Sequence, residues 1–271
     1  MRLADRRPGR AAGLLIGAVP LALVLLLFVV AAARRHAANP ADKILPTPGM
    51  MASAMDALLT TPDPLSGRLV FWADTAASLE RLGAGLGISA LAALLLGLAL
   101  GVLPLLRAGL GPLVTVVAVV PPIALLPILF IVFGLGETAK IALIVVGVAP
   151  FMVRDLTAHV AAIPIEQVVK AQTLGASSWQ LALRLALPNA MPRLIASLRL
   201  SLGPAWVYLI SAEAIASDVG LGYRIFLVRR YLSMDIILPY VAWIALLAIA
   251  CDAALLWLSR RLFAWAHEGE R

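Results

Sequence analysis

The stretch "KAQTLGASSWQLALRLALP", residues 170–188, sets Lys, Gln and Arg side chains, one glycine and a terminal proline inside a chain that is 62% hydrophobic. Extended back to Pro164, it reads as two short helices around a corner. On a helix over 165–174, Ile165, Val168 and Val169 share one face and Glu166, Gln167 and Lys170 the other, a surface pattern too polar to span a bilayer. Gly175 permits a left-handed C-cap, and Ser177 and Ser178 supply hydroxyls to start a second short helix, "WQLALRLALP". Pro188 and Pro192 bracket the start of the next apolar run. The product is a helix-turn-helix standing out of the membrane, its corner kept small by Ala176 and Ser177 so that another surface can approach.

The rest of the chain supplies the membrane. Only 14% of its 271 residues are charged, and its mean hydropathy is strongly positive, which no water-soluble domain of this size needs. Apolar runs of about 20 residues cross a bilayer as helices, because an unpaired backbone amide in hydrocarbon costs several kcal/mol and a helix pairs them internally. Six spans are expected, near 11–33, 84–106, 112–133, 138–157, 190–213 and 236–258. The fold class is therefore all-α: a polytopic helical bundle of about six transmembrane helices. The first run, at 23 residues, is too long for a signal-peptide core and reads as a span; Arg6-Arg7 lacks the rest of a twin-arginine signal.

The 22 basic residues and net charge of +7 are scattered among loops and span ends, which suits anionic lipid headgroups rather than nucleic acid. With both termini cytoplasmic, twelve basic residues fall inside and nine outside, Arg34, Arg35, Arg81 and Lys140 among the nine. That difference does not fix orientation. Cys251 has no disulfide partner, and His36, His159 and His267 stand apart, without metal-ligand spacing. No nucleophile elbow or phosphate loop occurs, so no catalytic residue and no metal site is assigned.

Prolines at 40, 46, 48, 62 and 64 deny the segment before span two a long helix and keep it on the membrane surface, with Phe71 and Trp72 as interfacial anchors. From Asp74, read as an N-cap, Leu79, Leu82 and Leu86 mark an amphipathic lead-in with Ser78 and Arg81 facing elsewhere. In span three, Pro121, Pro122 and Pro127 interrupt the helical ladder, which fits a bundle around a pathway or a kinked packing helix. Arg199 and Asp252 lie within apolar runs and either pair with each other or serve gating and cargo passage. Glu213 lines a path beside Trp206 and Tyr208, suiting a guanidinium-like cation, or bonds a neighbouring loop. In "SDVGLGYRIFLVRRYL", Gly220 and Gly222 allow a reversal, and Tyr223, Phe226, Leu227 and Tyr231 mark one face of a half-helix that receives an external protein or lies at the interface anchored by Arg224, Arg229 and Arg230.

These residues resemble the permeases of binding-protein-dependent ABC importers. Such a permease carries a cytoplasmic loop with a Glu-Ala-Ala triplet, a glycine six residues after the Glu, and an "I-x-L-P" ending thirteen residues after that glycine. Here Ala171 matches the second alanine, Gly175 the glycine, Leu185 the isoleucine and Leu187-Pro188 the ending. Val169 stands in place of the glutamate and Lys170 in place of the first alanine, with Glu166 one turn earlier as a substitute charge. "ILPTPGMM", "TAASLERLGAGLGISALAALLLGLALG", "PPIALLPILFIVFGLGETAKIAL" and "LRLSLGPAWVYLISAEAIASDVGLGYRI" are similar to recurring blocks of the nitrate, sulfonate and taurine branch, over roughly residues 44–262. "GLGYRIFLVRRYLSMDIILPYVAWI" further resembles the urea-carboxylase-linked sub-branch, whose implied cargo is guanidine or a urea-like compound.

The resemblance implies a permease subunit that moves a small polar nitrogen- or sulfur-containing solute while its loop, including Ala176 and Ser177, docks in a cleft on a separate ATPase. It implies a dimer of ATP-binding subunits holding Mg-ATP, a periplasmic or extracellular solute-binding protein, a second copy of this chain and surrounding lipid, with no cofactor on the chain itself. It implies a multi-pass protein of the bacterial inner membrane with both termini cytoplasmic. The expected division is 1–43 (tail and first helix), 44–83 (periplasmic surface segment and lead-in), 84–262 (permease core) and 263–271 (cytoplasmic tail). The competing reading is a channel or scaffold that works without ATP.

Overall fold

The computed structural model of the chain describes residues 9–40, 42–64 and 67–266. The charged chain ends, with Arg2, Arg6, Arg7, His267 and Arg271, lie outside the described residues. The chain divides into two units, one of Met1–Leu69 with Val228–Tyr240 and the other of Val70–Leu227 with Val241–Arg271.

In the first unit, α1 (Arg10–Ala38) exposes its leucines from Leu15 to Leu27, by 70% and 60% at those two, as a helix covered by lipid would. In its last turn, Arg35 pairs with Asp42 of the following segment at 2.5 Å. The Ile44 amide donating to Asp42 at 2.9 Å, together with the Arg35 guanidinium, holds that carboxyl below its ordinary range. The proline-rich segment still makes a 13-residue helix, α2 (Pro48–Thr60), because Pro48 occupies its first position and Thr47 caps Met50 N at 3.4 Å.

The second unit holds the site. Its first helical run joins α3 (Val70–Ala92), a π-turn (Ala93–Gly97) and α4 (Leu98–Val102). It starts fourteen residues before the expected span and absorbs the lead-in, so the expected boundary at 83/84 falls inside a helix and Asp74 is an interior residue, not an N-cap. The expected third span is broken into α5 (Pro104–Val119), a 3-10 turn (Pro122–Leu125) and α6 (Leu126–Phe133), bent by 87°. Val120 and Pro121 each precede a proline and are driven to extended ψ angles of 127° and 115°, which ends α5. Pro127 breaks nothing, since it lies in the first turn of α6 where no amide is required.

Next come α7 (Glu137–Ala161), α8 (Ile165–Thr173), α9 (Ser178–Gln180), a π-turn (Leu181–Ala186), α10 (Leu187–Ile215), α11 (Leu221–Arg229) and α12 (Met234–Leu262). Among the described residues five runs are long and apolar enough to cross a membrane, six if the bent pair is taken as one span. No strand occurs among the described residues. The second short helix expected after Gly175 is continuous with span five in one run from Ser178 to Ile215. The π-turn explains how Pro188 is tolerated: widening the turn moves the carbonyls that its ring would strike and that its missing N–H would leave bare.

The central helix of this unit is α7. Along one side it meets Gly85, Gly97 and Gly101, where a methyl group would lie 2.7 Å from Ile144, 2.9 Å from Leu156 and 2.5 Å from Val160. Along another side Gly147 takes the Tyr208 ring of α10, 2.3 Å from where a methyl would sit. Such small residues let helices close on each other by backbone packing, the main attraction available in lipid.

Candidate functional site

The corner between α8 and α9 is built from backbone bonds. Gly175 has φ 83°, its N–H donates to Gln172 O at 2.9 Å and the Ala176 N–H reaches Ala171 O at 3.0 Å, which closes the last turn of α8 in the Schellman pattern. One residue later, Ser177 Oγ accepts from Gln180 N at 3.3 Å while Ser177 N donates to Gln180 Oε1 at 2.9 Å, a reciprocal capping box. The two caps, separated by Ala176, fix the angle of the corner without any large side chain. Nothing lies within 4 Å of a methyl placed on Gly175.

Around that corner the apolar side chains face outward. Leu174 is 80% exposed, Trp179 71% and Ile165 66%. Val169, at the position of the family's glutamate, is also exposed, as are Glu166 and Lys170; Ala171 and Ala176 are half-buried. Leu185 and Leu187 are half-buried and Pro188 exposed, and Asn189 Nδ2 caps the Leu185 carbonyl at 2.8 Å where the helix re-tightens. An apolar, reachable, rigid tip of this kind is what a partner's cleft would grip.

At the opposite end of the same helices lies a largely buried polar cluster, with Glu137 at its open edge. Arg81 of α3 bonds the Glu137 carboxylate with Nε and Nη2, Glu213 of α10 with Nη1 at 2.7 Å, and the Val219 carbonyl at 2.8 Å. Lys140 reaches Glu137 at 2.9 Å and Ser217 at 3.2 Å. The amides at the start of α11 and just before it are shared out among three acceptors: Gly220 N to Asp74 at 2.9 Å, Leu221 N to Ser78 at 2.9 Å and Gly222 N to Glu213 at 2.8 Å. Carboxylates there complement the positive end of the helix. Gly220, at φ 137°, leaves no room for a methyl, which would meet the Glu213 carboxyl at 2.6 Å.

This cluster corrects several expectations. Ser78 and Arg81 do not face away from the bundle; they are 0% and 3% exposed, and Lys140, counted among the outside basic residues, is 3% exposed. Arg224 bonds Asp74 at 2.8 Å instead of anchoring at the interface, and Tyr231 lies beyond the end of α11. Glu213 is 0% exposed with its oxygens already bonded, so it bonds the neighbouring loop and offers no open seat to a cation. Trp206 is 4% exposed, its Nε1 unpartnered, and Tyr208 packs with Leu126, Leu129 and Leu143. These three residues do not line a common path, and the guanidine- or urea-like cargo loses the support it drew from them.

Arg199 and Asp252 do pair, with Nε–Oδ1 at 2.8 Å and Nη2–Oδ2 at 2.9 Å, joining α10 to α12. Sequence reasoning missed the Arg193–Asp155 pair between α10 and α7. It also missed the joint role of Asp74, Ser78, Arg81, Glu137 and Lys140. The available signal was spacing: Asp74, Ser78, Arg81, Gly85 and Ser89 recur at three and four residues, a small and polar stripe along one face of α3, and all are buried. Among the described residues no group of three or more potential ligands is placed to hold a metal ion.

Comparison with known proteins agrees with this architecture. The profile described as "Binding-protein-dependent transport system inner membrane component" matches residues 85–264. The taurine transport system permease of Escherichia coli K12 is 36% identical over 197 residues, 73% of this chain and 72% of that one. The bicarbonate transport system permease of Synechococcus elongatus is 31% identical over 195 residues, 70% and 69% of the two chains. Among solved structures, a chain of the MetNI methionine ABC transporter in an inward facing conformation superposes with a TM-score of 0.56 at 20% identity, covering 71% of this chain and 95% of that one, a likeness of fold.

Proposed function

The chain belongs to the family of binding-protein-dependent transport system inner membrane components, and from that premise we propose that two copies of it form the path for a small oxyanion-bearing solute of the sulfonate, taurine and nitrate type. Coupling to a separate ATPase dimer runs through the helix-turn-helix at 164–188, with Gly175 at its tip and Glu166, Lys170, Ala171, Ala176, Ser177, Leu185, Leu187 and Pro188 around it. A solute-binding protein delivers the cargo from the opposite side of the membrane, and Mg-ATP is held by the partner ATPase. The tip faces the cytoplasm, which with six spans puts both chain termini there. Residues 84–262 act as the permease core.

The observation that carries this reading is the exposed apolar corner, Leu174 at 80% and Trp179 at 71%, on a double-capped turn continuous with span five. A rigid tip fused to a span transmits a push on the tip directly into the membrane. The class of solute is supported by the relatives, one named for taurine, which bears a sulfonate, and one for bicarbonate.

The test is co-purification of the ATP-binding subunit with wild-type chain and with Gly175→Trp. The variant is expected to insert in normal amounts and to lose the subunit; equal recovery of the subunit would remove the corner from the coupling path. ATP-dependent uptake of labelled taurine and of nitrate by the wild-type complex tests the solute class.

A further inference from the structure

A cavity of 660 Å³ lies between α5 and α7, in the half of the bundle that bears the corner. Its room comes from small residues on facing stripes, Ala108 and Gly111 on α5 and Ala158 and Ala161 on α7. Its size is within the range of small-molecule sites, about 300–1,000 Å³. Two guanidinium groups reach it, Arg107 from α5 and Arg154 from α7. The only acid in its lining is Asp155, and Arg193 holds that carboxylate from α10, with Nε at 2.8 Å. Thr115 and Thr157 direct their hydroxyl hydrogens to the Gly111 and Gly97 carbonyls at 3.0 and 3.4 Å. The donors left facing the space are the two arginines, and neither has an ion-pair partner among the described residues.

Arg154 lacks an ion-pair partner among the described residues although it lies on a membrane-spanning helix. It sits seven residues before the end of a membrane-spanning helix, about 10 Å along the axis at 1.5 Å per residue. Its side chain is exposed, and a cation near a span end is met by water, headgroups or an anion. Arg81, Arg193 and Arg199, on α3 and α10, each hold a carboxylate. Arg154 and Arg107 instead converge on open space, and planar guanidinium forks match the oxygens of sulfonate, carboxylate, nitrate or phosphate.

We infer that this cavity is an oxyanion site, with Arg107 and Arg154 as the binding residues. Resting on the permease reading, the site gives the solute's anionic group a stopping place on the corner side of the path; the same chemistry would seat an anionic lipid headgroup. Phe151, also in the lining, and the alanine-rich walls then receive the apolar part of the guest.

The test uses the full complex with its ATPase. In nanodiscs of phosphatidylcholine alone, equilibrium binding of labelled ethanesulfonate is measured for wild type, Arg107→Gln, Arg154→Gln and Arg154→Lys. Loss of one charge-assisted hydrogen bond predicts binding weaker by about tenfold or more in either Gln variant, with Arg154→Lys retaining part of it. In parallel, phosphatidylglycerol retained by complexes purified from native membranes is quantified. Arginine-dependent sulfonate binding assigns the site to solute, and arginine-dependent lipid retention without sulfonate binding assigns it to a headgroup. If neither guest depends on either arginine while Arg154→Lys is folded, the oxyanion site is wrong. ATP-driven uptake that stays normal in that case leaves the permease reading standing, whereas wild-type complex that binds ethanesulfonate but moves no solute overturns the permease reading alone.

Discussion

The two ends of the second unit solve opposite problems with the same helices. At one end Arg81, Glu213, Asp74 and Lys140 are taken out of solvent and bonded to one another and to the amides of α11. At the other, Leu174, Trp179 and Ile165 are left in the open on a corner held by backbone caps. Buried charge is stable only while every partner is present, so the first end fixes α3, α7, α10 and α11 in register. Exposed apolar surface is stabilised when lipid or another protein covers it, and under the proposed function the cover at the second end is the ATP-binding subunit. Polarity alone marks neither as functional; burial reverses the meaning of each.

This contrast can be broken by substitution. The largest effect is expected from Arg81→Leu, which strands the fully buried Glu213 carboxylate and costs about 3–5 kcal/mol. Thermal unfolding of the purified protein in detergent measures it, and Arg81→Leu/Glu213→Leu should recover a large part of the loss. A double variant as unstable as the single one would mean that the cluster does not act as a charge pair. Next comes Gly222→Ala, whose methyl would meet the Ile210 carbonyl at 2.8 Å. Overpacking of this kind costs about 1–3 kcal/mol, and the same unfolding assay should show it.

At the corner the order of effects turns around. Gly175→Trp is expected to lower stability by only about 1–2 kcal/mol, the strain of a left-handed residue, because the position opens onto empty space. Its effect on ATPase recruitment should be nearly complete. Ser177→Ala removes one cap and is expected to cost about 1 kcal/mol of local stability. Hydrogen exchange at Ser177 to Gln180 should rise while the polar cluster at the far end stays protected; faster exchange at both ends would show that the corner and cluster are one cooperative unit.

Much of the corner was legible because its determinants are local. A glycine after a polar helix, followed by a hydroxyl three residues before a glutamine, specifies both caps within a few residues of chain. The polar cluster was not, since Asp74, Arg81, Glu137, Glu213 and Gly222 are distant in sequence and meet only after the spans assemble. Reading Asp74 as an N-cap was reasonable for an isolated segment and failed because the helix starts at Val70. The shared path for Trp206 and Tyr208 could have been rejected from the sequence: two residues apart on a helix, they point about 200° apart. Pro188 misled for the converse reason, as the π-turn ahead of it lets the helix run on, and Pro192 sits inside the same helix.

Under the proposed function, the corner at Gly175 carries work between ATP and the spans. The most direct measurement is ATP turnover by the complex of this chain with its ATP-binding subunit, reconstituted in lipid, with wild type compared against Gly175→Trp at equal insertion. The prediction is that turnover which depends on the wild-type chain disappears in the variant while Arg199–Asp252 and the Arg81 cluster keep the membrane domain folded. Turnover that is the same with either chain would contradict it and leave the corner as a surface feature without a part in coupling.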